Sequence, residues 1–371
     1  MRKLGIFIFF DKSGIVDDYV TILIDSMSKV TEELIIVING FINNYGLKKF
    51  RQFTERIYIR ENIGYDGGAY KDVFQKYLEK DELQNWDEII LFNDTFYGPF
   101  FSWARIFDRM ESEPVDFWGL SRFLQAKYVD GQEFAEHVQG YFLVVRKRMF
   151  MSSSWEKFWN KLDYPQTFQE AVKNFEVNFT VFFSEQGFRY TSWIDLKGFN
   201  KYLVSGENVY WCHPYELIKH FEFLIIKRKV ISITNFCQTN LALQYIENNY
   251  SFNLQNIYKN LERLDKDNGL KPFSPIKLEQ FYNCHKKIYV YGYGKFGKEI
   301  EQYFLYRKWN IEKFVVSDIE SENENIVCYD KLNLENDAGL ILALGKNNLA
   351  EVYPKVNGKF ELSQLLLPQY D

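Results

Sequence analysis

Arg60-Glu61-Asn62-Ile63-Gly64-Tyr65-Asp66-Gly67-Gly68-Ala69-Tyr70-Lys71-Asp72 and, further on, Glu88-Ile89-Ile90-Leu91-Phe92-Asn93-Asp94-Thr95-Phe96-Tyr97-Gly98-Pro99 each carry a polar loop behind a short apolar run. The runs, residues 56–60 and 88–92, have the length and composition of strands, and about fifteen residues of helical character lie between them. In an open α/β sheet such loops gather at the carboxyl edge, where ligands bind. The stretch therefore predicts a two-loop site at the rim of an N-terminal sheet, with chemistry suited to a sugar nucleotide.

In the first loop Gly64, Gly67 and Gly68 permit positive φ and a close approach of backbone amides to a ligand. Asn62 and Asp66 offer polar groups to ribose or base, and Lys71 offers a cation to phosphate. A turn that merely caps a helix over residues 69–79 accounts for one glycine, not for three around an acid. In the second loop Asn93 and Asp94 sit just past the strand. Hard divalent cations take oxygen ligands and keep few protein carboxylates beside substrate phosphates, so Asp94 is the expected ligand of Mg²⁺ or Mn²⁺ on a diphosphate. Capping of a helix over residues 102–110 is the other use of this loop.

These residues resemble the rhamnan synthesis protein F family of glycosyltransferases. The resemblance rests on Asp17-Asp18-Tyr19, on the two loops, on Asp116-Phe117-Trp118-Gly119 and on His137-Val138-Gln139-Gly140-Tyr141-Phe142, in order and spacing over roughly residues 4–230. The sequence departs from the family pattern at Gly140, where serine is expected. The resemblance implies a GT-A-like nucleotide-sugar transferase building a cell-surface polysaccharide, often from dTDP-rhamnose. Residues 175–188, with Glu176 ahead of a helix and Gly187 behind it, look like the segment that carries the catalytic base in family 2 glycosyltransferases.

Glycosyl transfer with inversion needs a base that takes the acceptor hydroxyl proton while the departing diphosphate is stabilised across the sugar. Glu176 is the candidate base, and an acid favoured by the dipole at a helix start is its structural alternative. His137, just ahead of a strand over residues 140–145, is the second catalytic candidate, with a structural histidine as the alternative.

With 371 residues the chain is long enough for two or three domains. Its net charge of −5 supplies no general field for nucleic acid, and Lys227-Arg228-Lys229 and Arg146-Lys147-Arg148 read as solvated faces. Cys212, Cys237, Cys284 and Cys328 are too scattered for a disulfide framework or a zinc site, which suits the cytoplasm. The apolar run at residues 4–10 is stopped by Asp11-Lys12 and reads as a first strand rather than a signal peptide. No run reaches the roughly 18 apolar residues of a membrane span, so membrane contact is expected to be peripheral, at the inner face.

In order, residues 1–231 alternate strands and helices, predicting an α/β domain with a mostly parallel sheet. Residues 232–285 read as a helical connector and linker, and residues 286–371 as a small Rossmann-like α/β domain. There Gly292, Gly294 and Gly297 sit between a strand and a helix, and Asp318 follows the last glycine by about twenty residues, as in a dinucleotide fingerprint. NAD(P) or another nucleotide is the expected ligand, and structural docking is the alternative role. The leading reading is a glycosyltransferase acting between a nucleotide-sugar donor and a lipid-linked glycan acceptor. An NAD(P)-dependent oxidoreductase of nucleotide sugars and a non-catalytic nucleotide-sugar scaffold are the alternatives.

Overall fold

Runs of Ile, Leu, Val and Phe dictate the strands of the first half of the chain. They follow as β1 (Lys3–Phe9), β2 (Glu33–Asn39), β3 (Ile57–Arg60), β4 (Glu88–Asn93), β5 (Phe96–Tyr97), β6 (Phe117–Gly119), β7 (Arg122–Phe123), β8 (His137–Val138), β9 (Phe142–Arg146), β10 (Tyr190–Ser192) and β11 (Ile226–Lys227). The computed structural model describes residues 1–124, 126–127, 133–196, 209–233, 236–268, 273, 275–317 and 325–368. It divides into two units, Met1–Thr234 with Ala242–Asn256 and Asn235–Leu241 with Ile257–Asp371.

In the first unit seven strands form one sheet in the order β10-β6-β9-β4-β1-β2-β3. β9 runs antiparallel to β4 and β6, and every other neighbour in the sheet is parallel. The mostly parallel α/β architecture is thus the one expected. β1, β2 and β4 are buried along nearly their whole length, as strands covered on both faces must be. Helix α1 (Asp18–Ser28) buries Tyr19, Val20, Leu23, Ile24 and Met27 along one stripe. On the far side of the sheet, Trp155, Phe158, Trp159, Phe175, Phe179 and Phe183 pack as one aromatic cluster with ring centroids 4.9 to 6.4 Å apart.

The register places Asn93 beside Ile8, and Arg60 beside Asn39. The carboxyl ends of these strands therefore share one rim. Arg60 pins it: Nε donates to Asp72 Oδ2 at 2.6 Å, Nη1 to Asn39 Oδ1 at 2.5 Å and Nη2 to Ile63 O at 2.8 Å. Asp72 closes helix α2 (Tyr65–Asp72) and also accepts from Tyr164 Oη at 2.6 Å. Burial opposes its charge, but Lys76, Tyr164 and Arg60 outweigh that and hold the carboxyl below its ordinary range.

The second unit contains β12 (Lys287–Tyr291), β13 (Lys313–Val316), β14 (Ile326–Cys328), β15 (Ala338–Leu342) and β16 (Leu365–Leu366). They form an all-parallel sheet in the order β14-β13-β12-β15-β16. The helical stretch expected ahead of it comprises Phe236–Asn249, Gln255–Asn268 and Pro275–Cys284. Among the described residues no helix is long and apolar enough to cross a membrane.

The Arg60 clamp gives a first prediction. Arg60→Ala leaves Asp72, whose side chain is 5% exposed, without its guanidinium but still held by Lys76 and Tyr164, and should cost about 1.5–3 kcal/mol in urea unfolding. A loss below about 1 kcal/mol would show that the pair does not hold the rim.

Candidate functional site

Gly64 has φ +78° and opens α2, the turn its sequence predicts. The purpose of the neighbouring glycines is different from the one expected. A Cβ on Gly67 would lie 2.8 Å from the Phe175 ring, and one on Gly68 would lie 2.6 Å from Ile63 O and 2.9 Å from the Tyr164 ring. A Cβ on Gly64 would meet the same tyrosine at 2.7 Å. The space these residues leave is filled by the protein's own side chains rather than presented to a ligand. Seating Phe175 against Gly67 brings the helix after residue 167 onto α2, and with it Glu176 toward Asp66.

Glu176 does not open that helix. The helix begins at Phe168, capped by Thr167, whose Oγ1 accepts from Glu170 N at 3.2 Å. It runs through wide π turns over Ala171–Val177 into α3 (Asn178–Glu185) and ends before Gly187, φ +81°. Thr167 with Glu170 three residues on is a capping signature that sets the start eight residues ahead of Glu176. The macrodipole therefore does not stabilise this carboxylate, and the π segment that holds it is of a kind that recurs at functional sites.

Around Glu176 stand His137, Gly140 and Lys227. His137 is 3% exposed, stacks on Phe123 and places Nε2 3.6 Å from Glu176 Oε1. Its Nδ1 lies 2.7 Å from Ala135 O, and since a carbonyl only accepts, Nδ1 carries a proton, so that Nε2 donates to Glu176 only from the imidazolium form. Gly140, at the departure from the family pattern, lies beside Glu176: a Cβ there would stand 3.4 Å from Glu176 Cγ, an ordinary contact. Lys227 Nζ lies over the Tyr141 ring, 4.0 Å from its centroid. Tyr141 in turn meets Ser121 Oγ at 2.5 Å, and Ser121 donates to Gln139 at 2.7 Å.

The second loop joins the first through Asn93. Its Nδ2 donates to Asp66 Oδ2 at 2.7 Å, while its Oδ1 accepts from Thr95 N at 3.1 Å and Thr95 Oγ1 at 2.7 Å. Asp94 caps no helix. Its Oδ2 lies 3.4 Å from Arg228 Nη1, and Tyr19 Oη donates to its backbone carbonyl at 3.1 Å. Arg228 Nη1 also donates to Tyr19 Oη, closing a triangle.

The charges at this rim shape one another. Burial pushes the Asp66 carboxyl up to about 6, with Asp94 and Glu176 adding to the rise and Asn93 and Lys227 opposing it. Burial also raises Asp94, against the pull of Arg228. For Glu176 burial is outweighed by His137, Lys227 and the Gly140 amide, and its carboxyl is held below the usual glutamate range. Burial lowers the Lys227 ammonium, against the attraction of Glu176 and Asp66.

The structure brings Asp66, Asn93, Asp94, Glu176 and His137 together and leaves two expected residues aside. Lys71 donates to Leu162 O at 2.5 Å and lies over Tyr164, so its ammonium is engaged away from the cluster. Asn62 is exposed. Conversely, Lys227 and Arg228 are not the solvated face expected of them. β11 pairs with β5, Lys227 opposite Phe96, and Arg228 N donates to Thr95 O at 3.0 Å, which sets both cations at the second loop. The signal was the apolar run Phe223-Leu224-Ile225-Ile226 ahead of them, which marks a buried strand rather than a surface one.

The rim residues do not fit a resident divalent cation. Among the described residues no three His, Cys, Asp or Glu side chains converge as metal ligands would. Asp94, the expected ligand, faces a guanidinium, so its carboxylate is already engaged by a cation.

In the second unit, Gly292 has φ +100°, and a Cβ on Gly297 would lie 2.0 Å from Gly292 O. These two glycines let α4 (Lys295–Arg307) pack directly on the end of β12. Gly294 precedes α4 with open space around it. Asp318 lies outside the described residues.

Compared with known proteins, residues 34–290, well over half of the chain, match the family described as rhamnan synthesis protein F. Protein y4gN of Sinorhizobium fredii, described as uncharacterized, is 23% identical over 159 residues, 43% of this chain and 40% of its own length. The chain thus spans less than half the length of that curated relative. Among solved structures, a 4-diphosphocytidyl-2C-methyl-D-erythritol synthase from Anaerococcus prevotii has a TM-score of 0.34 at 12% identity over 52% of this chain and 86% of its own. Core-mannan synthase A from Aspergillus fumigatus, in its Mn/GDP form, has a TM-score of 0.23 at 10% identity over 42% of this chain and 63% of its own. A mannosyltransferase from S. cerevisiae has a TM-score of 0.25 at 10% identity over 46% of this chain and 62% of its own.

The raised Asp66 makes stability depend on pH. Folded Asp66 keeps its proton up to about pH 6, whereas in the unfolded chain it is lost near pH ~4, so stability falls as pH rises across that window. Asp66→Asn, which cannot ionise, should be more stable than wild type at pH 8 by on the order of 1–2 kcal/mol, with the gain fading below pH ~6. Urea unfolding at pH 5 and pH 8 checks this, and an unchanged difference between the two would count against a strained Asp66.

Proposed function

The chain belongs to the rhamnan synthesis protein F family, and from that premise we propose that it is a glycosyltransferase whose donor, a nucleotide sugar, binds at the rim of the first unit. The observation that carries this reading is the meeting of two loops there: Asn93 of the second loop holds Asp66 of the first at 2.7 Å, with Glu176 within electrostatic reach of Asp66. A transferase needs one group to orient donor hydroxyls and another to take the acceptor proton, and two carboxylates in unlike surroundings divide those tasks.

In this reading Asp66 accepts from hydroxyls of the donor. Glu176 takes the proton of the acceptor hydroxyl as the glycosidic bond forms and the bond to the diphosphate breaks. His137 and the Gly140 amide keep Glu176 ionised and oriented, so that it stands ready as an acceptor of that proton. A rhamnosyl donor is suggested by the family's name, and a lipid-linked glycan acceptor completes the proposal. NAD(P) has no place in it, and the second unit is assigned no catalytic step.

Thermal-shift screening of the full chain against a panel of nucleotide sugars, followed by mass spectrometry of glycolipid extracts incubated with the best donor, tests the proposal. A stabilising donor and a product heavier by one sugar are expected. No shift with any donor would overturn it.

Two variants sharpen the roles. Glu176→Gln should lower kcat by about 10²–10⁴ while leaving donor affinity within about threefold. A variant with near wild-type kcat would remove Glu176 from the chemistry. In the wild type, kcat/KM should fall as pH drops through about 6, where Asp66 gains its proton, and Asp66→Asn should flatten that limb at a reduced rate. A limb unmoved by the substitution would have to be assigned to another group.

A further inference from the structure

A diphosphate brought to this rim meets three carboxylates, and something must offset them. Magnesium ions commonly fill that role, but the ligand set here does not fit one. Two cations are already built in. Arg228 lies against Asp94, and the contacts that hold it there, to Asp94 Oδ2 and Tyr19 Oη, both use Nη1. A guanidinium carries five N–H donors in a fixed fork that matches phosphate oxygens, so one engaged nitrogen leaves a donor face. Lys227 is seated over Tyr141 within electrostatic reach of both Glu176 and Asp66. Neither cation belongs to the loops that carry the acids. Lys227 ends β11, which pairs with β5, and Arg228 opens the helix that follows with its N–H donating to Thr95 O, so both are fixed relative to the second loop.

We propose that Lys227 and Arg228 grip the donor's diphosphate as fixed cations, and that donor binding needs no divalent metal. This rests on the glycosyltransferase reading for the identity of the ligand. In that reading Lys227 and Arg228 stabilise the nucleoside diphosphate as the sugar's bond to it breaks and its negative charge grows. Asp94 is then a positioning residue: it holds Arg228 in place rather than a metal.

Isothermal titration calorimetry of the full chain with UDP, GDP and dTDP, in excess EDTA and again in Mg²⁺ or Mn²⁺, tests this on the wild type and on Lys227→Gln, Lys227→Arg and the double variant Asp94→Asn with Arg228→Gln. The double variant removes both members of the buried pair and so avoids stranding one charge, and melting temperatures confirm that each variant folds. The expected result is a nucleotide that binds in EDTA within threefold of its affinity in metal. Lys227→Gln and the double variant should each weaken it at least tenfold, and Lys227→Arg should restore most of it.

Binding that appears only with a divalent cation would overturn the inference and leave the transferase reading standing. So would binding that both neutral variants keep within twofold. If no nucleoside diphosphate binds under either condition, the donor site itself is misassigned and the inference falls with it.

Discussion

Close approach of α2 to the helix that follows Thr167 is the constraint on which the rim depends. Phe175 packs where Gly67 has no side chain, at a distance that a single methyl group would forbid. The next residue, Glu176, is thereby held near Asp66, and both feel Lys227. Like-charged carboxylates do not gather at a buried rim unaided, so each has a compensating partner. Asp66 has Asn93, Asp94 has Arg228, and Glu176 has His137 and a backbone amide. The partners are unequal, and so are the outcomes: a neutral amide leaves Asp66 raised to about 6, whereas imidazolium, ammonium and amide together hold Glu176 below its ordinary range.

Much of this was legible in residues 60–101, because strand periodicity and loop chemistry are local properties. The parallel strands, the shared rim and the meeting of Asp66 with Asn93 and Asp94 follow from strand order and register alone. What was not legible was long-range. The partners of the glycines, Tyr164 and Phe175, lie about a hundred residues on, beyond what turn chemistry reports. A glycine that admits a ligand and a glycine that admits a neighbouring ring leave the same mark in a sequence. The start of the Glu176 helix was legible and misread, since Thr167 and Glu170 spell a cap ahead of the acid.

The second unit makes the same point on smaller ground. Its glycine turn has the spacing of a dinucleotide fingerprint and sits between a parallel strand and a helix, as such a fingerprint requires. Yet Gly292 and Gly297 are explained by each other, by the Ala343 carbonyl and by the packing of helix on strand. Only Gly294 is left with open space. Two of three glycines in the motif are therefore demanded by the fold itself, and the motif alone does not distinguish a nucleotide site from a well-packed βα turn.

The cations at the rim of the first unit show how a basic run can mislead in the opposite direction. Lys227-Arg228-Lys229 looks like surface by composition, but the four apolar residues before it are buried, and the chain passes there from β11, which ends at Lys227, into a helix that begins at Arg228. Lys227 turns to Tyr141, and Arg228 to Tyr19 and Asp94. Because β11 reaches the second loop from more than a hundred residues away, the rim acquires its positive charge only when that strand docks on β5. Until then Asp94 would stand unpaired beside Asp66. The late strand and the early loops thus depend on each other electrostatically, and the docking of β11 on β5 also completes the charge balance of the site.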